Sequence, residues 1–265
     1  MKAMILAAGL GTRLRPLTDN RPKALVEIAG RTLLEITLSR LRSFDISEVI
    51  INVHHLADTV IDYLKAHDNF GMRIEVSREE ILLDTGGGLK KAAWFFLEDS
   101  SRSASSSGDS SRLDVPFLLH NVDVISTIDL RRMVQFHTEN HALATLAVQH
   151  RETSRYLLFD EQLQLCGRRI GTGPSPGQRS DQKPEIVRPS PHLQSLAFSG
   201  IHVISPRLVP MLTEEGVFSI ITSYLRLAAR GENILAFRAD DYYWRDLGRP
   251  ADLAQAALDL QQNAP

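Results

Sequence analysis

Short apolar runs rich in β-branched residues alternate with stretches of helical period along this chain. That alternation restricts the fold to an α/β sheet with helices laid across both faces. The runs are Lys2–Ala7, Glu48–Val53, Arg73–Ser77, Val115–His120, Ala142–His150, Ser195–Val203 and Ile234–Arg238. Between them, Leu34, Leu38, Leu41 and Phe44 recur at helical spacing, as do Val60, Ile61 and Leu64, and Leu253, Ala256, Ala257 and Leu260. Each set gives its helix one apolar stripe, read as core rather than as a site. In open α/β sheets ligands sit beyond the carboxyl ends of strands, where Gly9 after the first run and Asp123 after the fourth both fall. Two distant segments are therefore expected to meet at one ligand.

The first run enters a glycine turn, Gly9-Leu10-Gly11, and fixed cations follow at Arg13, Arg15, Arg21 and Lys23. Backbone without side chains lets several N–H groups approach phosphate oxygens while Arg and Lys neutralise their charge. No Gly-Lys-Ser/Thr run follows either glycine, so a P-loop ATPase or kinase is excluded. The dinucleotide fingerprint requires a small residue where Leu14 stands, so only its first half is met and a nicotinamide enzyme is disfavoured. Arg13 has the planar guanidinium suited to the β- and γ-phosphates of a triphosphate, and Lys23, after the φ-restricted Pro22, is a compact point charge beside it. Arg15 and Arg21 read as solvated surface charges.

A chain of 265 residues can bury one substantial core, and a single domain over 1–265 is expected. The formal charge of -2 provides no overall field for nucleic acid or an anionic membrane, so local sites must bind any anion. The lone Cys166 suits a reducing compartment, zinc-type Cys/His spacing is absent, and no apolar run approaches membrane-spanning length. A soluble, cytoplasmic protein is expected, with no nucleic-acid partner and no membrane insertion; no feature reports oligomeric state. Two stretches, 99–112 rich in Ser and 171–192 rich in Pro, Gly and charge, are expected to be mobile surface loops.

Asp123 follows Asn121 and Val122 at the end of a strand, placed either to hold a hard cation or to cap a turn. Asp246, in Trp244-Arg245-Asp246-Leu247-Gly248, reads either as a second metal carboxylate or as the cap of the helix beginning near Pro250. Asp84-Thr85-Gly86-Gly87-Gly88, ahead of a helix at Leu89, offers bare backbone to a flat base, or is a plain glycine turn. His54 and His55 point to opposite faces of a strand and are read as non-ligands. Arg151-Glu152-Thr153-Ser154-Arg155-Tyr156 follows a strand and either lines a sugar pocket, with Arg155 as its candidate, or is a charged hairpin turn.

Leu6-Ala7-Ala8-Gly9-Leu10-Gly11-Thr12-Arg13-Leu14-Arg15-Pro16-Leu17-Thr18 followed by Pro22-Lys23-Ala24-Leu25 resembles the signature of the sugar-1-phosphate nucleotidyltransferases. Asp84-Thr85-Gly86-Gly87-Gly88, Asn121-Val122-Asp123, Phe198-Ser199-Gly200-Ile201 and Trp244-Arg245-Asp246-Leu247-Gly248 resemble later landmarks of that family, in its order. The branch most similar is that of short, single-domain enzymes with N-acetylmuramate-1-phosphate uridylyltransferase and heptose-1-phosphate guanylyltransferase. The resemblance implies a Rossmann-like three-layer αβα sandwich with a mixed, mostly parallel central sheet, the nucleotide-diphospho-sugar transferase fold. It implies a reaction of a nucleoside triphosphate with a sugar 1-phosphate, by uridylyl or guanylyl transfer in cell-envelope sugar biosynthesis or recycling. By the same resemblance Arg13 and Lys23 are catalytic, Lys23 on the transferring α-phosphate; Leu6, Ala8, Gly9, Gly11, Thr12, Gly86, Gly87 and Asn121 bind nucleotide; Asp123 and Asp246 hold Mg2+; and Gly200 lines the sugar site, to which the position of Arg155 after a strand adds a second candidate. Val122 departs from the glycine common before the metal carboxylate, and the Glu-Lys-Pro sugar-phosphate segment has its nearest counterpart in Gln182-Lys183-Pro184. Two rivals stand beside this reading: a non-catalytic nucleotide-sugar-binding regulator on the same fold, and a cytidylyltransferase for phosphocholine-like acceptors with Tyr242, Tyr243 and Trp244 as an aromatic cage.

Overall fold

The computed structural model describes residues 1–102, 115–171 and 183–261. The chain opens with β1 (Lys2–Leu6), a hairpin of β2 (Glu27–Ile28) and β3 (Arg31–Thr32), and α1 (Leu33–Ser43). Then come β4 (Glu48–Val53), α2 (Ala57–Ala66), β5 (Arg73–Arg78), α3 (Asp84–Lys91), α4 (Ala93–Arg102), β6 (Phe117–Asn121), β7 (Val124–Ser126) and α5 (Leu130–Glu139). The remainder is β8 (Ala144–Gln149), β9 (Arg155–Phe159), β10 (Leu165–Ile170), β11 (Glu185–Ile186), β12 (Gln194–Ile204), α6 (Ile220–Ala229), β13 (Ile234–Arg238), β14 (Trp244–Asp246) and α7 (Pro250–Gln261).

Ten strands form one mixed sheet, ordered β11-β10-β9-β12-β6-β1-β4-β5, with β8 on β12 and β13 on β8. The part that positions the site is parallel: β1 lies between β4 and β6, with Leu6 opposite Asn52 on one side and Asn121 on the other. Successive side chains of β1 divide between two cores, as a period of two requires. Ala3 and Ile5 pack with Leu34 and Leu38 of α1, Val60 and Leu64 of α2 and Met133 of α5. Met4 packs on the other face with Leu89, Phe95 and the α6 residues Tyr224 and Leu227. Full burial of each such side chain contributes about 1.5–3 kcal/mol, so the predicted helical stripes are what glue the layers.

Local signals fix the entry to α1. Ala29 and Gly30, both at positive φ, make the two-residue turn of the β2–β3 hairpin. Thr32 then accepts a hydrogen bond from Glu35 N at 3.0 Å, capping the helix. The expected mobile stretches are partly ordered structure. Residues 99–102 continue α4, and β11 pairs with β10 inside the second stretch. The rest of both stretches, 103–112 and 172–182 with Gln182, lies outside the described residues. Asp84 begins α3 rather than preceding a helix at Leu89, so the glycine triplet is helical.

Candidate active site

Three chain segments meet beyond the carboxyl ends of β1 and β6. The first is the glycine turn. Gly11 adopts φ +64, in the left-handed region where glycine is favoured, and its carbonyl accepts hydrogen bonds from Leu14 N and Thr18 Oγ1, both at 2.8 Å. The turn is thereby closed on itself while Gly9 faces open space, with nothing within 4 Å of where a Cβ would stand. Ala7 N donates to Asn52 Oδ1 at 2.7 Å, which fastens the start of the turn to β4. Lys23 opens a one-turn 3-10 helix set by Pro22, and a Cβ on Gly11 would crowd both Thr18 and Lys23.

The second segment is the tight turn between β6 and β7. Val122 N donates to Leu6 O at 3.1 Å, which brings Asp123 to the end of β1. There Lys23 Nζ donates to Asp123 Oδ2, in a pair whose side chains are only 12% and 14% exposed. The third segment is β14, antiparallel to β7 with Asp246 opposite Val124. Leu247 N donates to Asp123 O at 2.8 Å and Gly248 N to Asp246 Oδ1 at 2.7 Å, so the backbone fixes both acids. Arg13 Nη2 stands 3.9 Å from Asp246 Oδ1. Gly248 lies against this contact: a Cβ there would be 2.6 Å from Asp246 Oδ1 and 2.8 Å from Arg13 Cζ.

Partial withdrawal from water and the neighbouring charge of Asp123 raise the pKa of Asp246 above the ordinary carboxylate range, against the opposing pull of Gly248 N, Lys23 and Arg13. Two carboxylates that feel each other in this way repel, and a hard cation bound between them would relieve the repulsion. Among the described residues no group of three or more His, Cys, Asp or Glu gathers to enclose a metal. Two acids alone fit magnesium, which is typically bound through one or two carboxylates, with waters and substrate phosphates completing its shell.

Arg13, Lys23, Asp123 and Asp246 are thus brought together, with Leu6, Gly9, Gly11 and Thr12 on the glycine-turn side. Ala8 lies in the same turn, buried. Asn121 ends β6, and a Cβ on Gly200 would sit 2.8 Å from its Nδ2, so Gly200, at φ +75 in β12, borders it directly. Arg15 pairs with Asp19 and Arg21 with Glu27 on the surface, as read from the sequence. Gly86 and Gly87 spend their N–H groups on Phe218 O at 2.9 and 3.2 Å, and a Cβ on Gly87 would stand 2.6 Å from Gly216 O. Close helix packing therefore accounts for the lack of side chains there, a reason that the bare-turn reading did not contain. Arg155 is exposed at the head of β9, its backbone N–H bonded to Thr153 Oγ1, and the structure does not bring it to the four charged residues. His54 Nδ1 is engaged with Glu79 O at 2.9 Å.

Arg151, at the head of the same segment but not the residue singled out in it, lies closer to the centre: its guanidinium stacks on Trp244, two residues before Asp246. Its only sequence signal was a cation following an apolar strand. That stacking also bears on the proposed aromatic cage. Trp244 is already covered by a guanidinium, Tyr243 Oη donates to Asp259 Oδ2 at 2.6 Å, and Tyr242 Oη accepts from Arg132 at 3.3 Å. The three rings are separately committed, which leaves no common cage for a cationic head group.

Residues 2–163 match the family model described as nucleotidyl transferase, and the chain belongs to that family. It is similar to the N-acetylmuramate alpha-1-phosphate uridylyltransferase of Caulobacter vibrioides, at 50% identity over 93 residues, covering 34% of this chain and 38% of that protein. It is also similar to the mannose-1-phosphate guanyltransferase of Yarrowia lipolytica, at 29% identity over 256 residues, covering 95% of this chain and 62% of that one. The chain therefore spans less than two thirds of the length of these curated relatives. Among solved structures, a putative glucose-1-phosphate thymidylyltransferase from Bacillus anthracis, in complex with a sucrose, matches with TM-score 0.73 at 19% identity over 100% of this chain and 96% of that one. HddC from Yersinia pseudotuberculosis, complexed with GMP-PN, matches with TM-score 0.69 at 18% identity over 98% and 99%. These likenesses show a shared nucleotidyltransferase fold. No helix among the described residues is long and apolar enough to cross a membrane.

Proposed function

We propose that this protein transfers a nucleotidyl group from a nucleoside triphosphate to a sugar 1-phosphate, releasing pyrophosphate and a nucleotide-sugar. The observation that carries the reading is the junction of Lys23–Asp123 with Arg13–Asp246, four charges from three segments, two of which are joined by Leu247 N on Asp123 O. In this reading an anionic oxygen of the acceptor attacks the α-phosphorus in line with the departing pyrophosphate, in one displacement without a covalent enzyme intermediate. The protein has to suppress anion–anion repulsion and hold the reactants in line. A sugar phosphate with a second pKa of about 6 is largely dianionic at neutral pH, so no general base is required.

Arg13 stabilises the leaving pyrophosphate with a planar fork of donors, and Lys23 neutralises the transferring phosphate as a point charge. The glycine turn with Leu6, Ala8 and Thr12, together with Gly86, Gly87 and Asn121, holds the nucleotide. Gly200 borders the acceptor. Asp123 and Asp246 would hold magnesium, which supplies neutralisation of phosphate charge and a template for in-line geometry. The uridylyl- and guanylyltransferase relatives favour uridylyl or guanylyl transfer, and the charge chemistry suits a cytoplasmic enzyme working on soluble anions.

Pyrophosphate release measured with magnesium across UTP, GTP, CTP and dTTP, each with N-acetylmuramate, mannose and glucose 1-phosphates, tests the proposal. Acceptor-dependent release that Arg13→Ala abolishes is the expected result. Nucleotide-sugar binding without turnover on any pair would instead establish the regulator.

A further inference from the structure

Arg151 lies just past the end of β8, outside the four charged residues given roles above. Its guanidinium carbon sits 3.7 Å from the centroid of the Trp244 ring, and Nη2 donates to Phe198 O at 2.6 Å. Its Nε is buried with no partner among the described residues. Trp244 Nε1 donates in turn to Ser199 O at 2.7 Å. Arg151 and Trp244 thus hold the two carbonyls ahead of Gly200, where β12 breaks register against β8 and meets Asn121.

Trp244 and Asp246 are two apart on a strand and share a face, so a cation stacked on Trp244 is set beside Asp246. The charge of Asp246 favours the charged form of Arg151 while burial opposes it. Asp246 is therefore flanked by two guanidiniums from different segments, Arg13 from the glycine turn and Arg151 from the segment after β8. A buried guanidinium N–H without a partner is costly, so Arg151 carries donor capacity that the fold itself does not use. Stacking fixes the plane of the fork, which suits bidentate binding of a phosphate in a way that a lysine does not.

We propose that Arg151 is the acceptor-binding cation of this site, donating its remaining N–H groups to a phosphate oxygen of the sugar 1-phosphate while Arg13 serves the triphosphate. The assignment rests on the transfer reading above and adds the residue that discriminates the acceptor side.

Trp94 and Trp244 are the only tryptophans, and Trp94 is 43% exposed on α4, so Trp94→Phe leaves Trp244 as a reporter beside Arg151. In that background N-acetylmuramate, mannose and glucose 1-phosphates are titrated separately to 10 mM on the order of a weak-binding limit, and UTP is titrated as the control. At least one sugar phosphate is expected to change the emission. Arg151→Met should weaken that binding at least tenfold and Arg151→Lys by less, each leaving UTP affinity within twofold. Arg151→Lys keeps a cation against Phe198 O, so it reports on binding even if Arg151→Met folds poorly. No response to any sugar phosphate, an unchanged acceptor affinity in both variants, or an equal loss of UTP affinity would overturn the assignment. Wild-type turnover is read separately: sugar-phosphate binding through Arg151 without pyrophosphate release refutes the transfer and keeps the assignment, whereas turnover with acceptor KM indifferent to Arg151 does the reverse.

Discussion

Gly248→Ala separates the site from the fold. A methyl group there would stand 2.8 Å from Arg13 Cζ and 2.6 Å from Asp246 Oδ1. Arg13 Nη2 is nearer still, so restoring ordinary contacts of about 3.5 Å moves the guanidinium by about 1.2 Å and the carboxylate by about 0.9 Å. Both are the far ends of side chains that remain partly exposed, at 57% for Arg13 and 42% for Asp246, so the scaffold can absorb the methyl at little cost in stability. Gly248 is not at positive φ, and loss of glycine freedom in the unfolded chain offsets part of any strain. A displacement of about 1 Å at groups that stabilise a phosphoryl transition state lowers the rate on the order of 10²-fold. The expected outcome is a pyrophosphate-release rate about a hundredfold down, with a urea midpoint close to that of wild type. Retention of turnover within threefold would refute the claim that Arg13 and Asp246 act at their observed separation.

Gly11→Ala places an L-residue at φ +64 and crowds Thr18, and should cost about 1–2 kcal/mol in urea unfolding with weaker triphosphate binding; an unchanged midpoint would contradict this. Gly86→Ala drives a methyl onto the Phe218 ring and to 2.9 Å from Phe218 O, an overpacking expected to cost about 1–3 kcal/mol, part of which Phe218→Ala should return in a double-mutant cycle. Buried His120 and His202 are held neutral by desolvation, with pKa values pushed down to about 4 and about 3. The unfolded chain takes up their protons near pH 6.5 while the folded chain does not. Their contribution is therefore complete above that pH and is lost as pH falls toward 4, at about 1.4 kcal/mol per pH unit for each histidine. Urea midpoints from pH 7.5 to 4.5 should fall accordingly, less steeply in His202→Gln, and a slope that His202→Gln leaves intact would contradict the assignment.

Much of this architecture was legible because its causes are local. The β-branched runs at Glu48–Val53 and Ile234–Arg238 became strands with the same bounds, and the stripe from Leu34 to Leu41 became the inner face of α1. Arg13 and Lys23 stood out as cations after a glycine turn, whereas Asp123 and Asp246 were singled out by the family resemblance, each having a capping role as its alternative. The missed elements owe their form to distant partners. Gly86 and Gly87 looked like a bare turn because nothing nearby in sequence announces Phe218, whose carbonyl caps their N–H groups. β9 begins with Arg155 and β10 ends with the exposed Arg169 and Ile170, so their periodicity is broken and only pairing across the sheet defines them. Arg151 lay in the segment read as a sugar-pocket lining, but Arg155 was singled out instead because Arg151's partner Trp244 lies far along the chain.

The most direct test of the central claim follows the α-phosphorus itself. With triphosphate labelled at that position, magnesium and a sugar 1-phosphate accepted in the pyrophosphate assay, a single turnover should carry the label into the nucleotide-sugar as pyrophosphate appears, with none on the protein and none transferred without acceptor. Label trapped on the protein, or released as nucleoside monophosphate whether or not acceptor is present, would contradict direct transfer at Arg13, Lys23, Asp123 and Asp246.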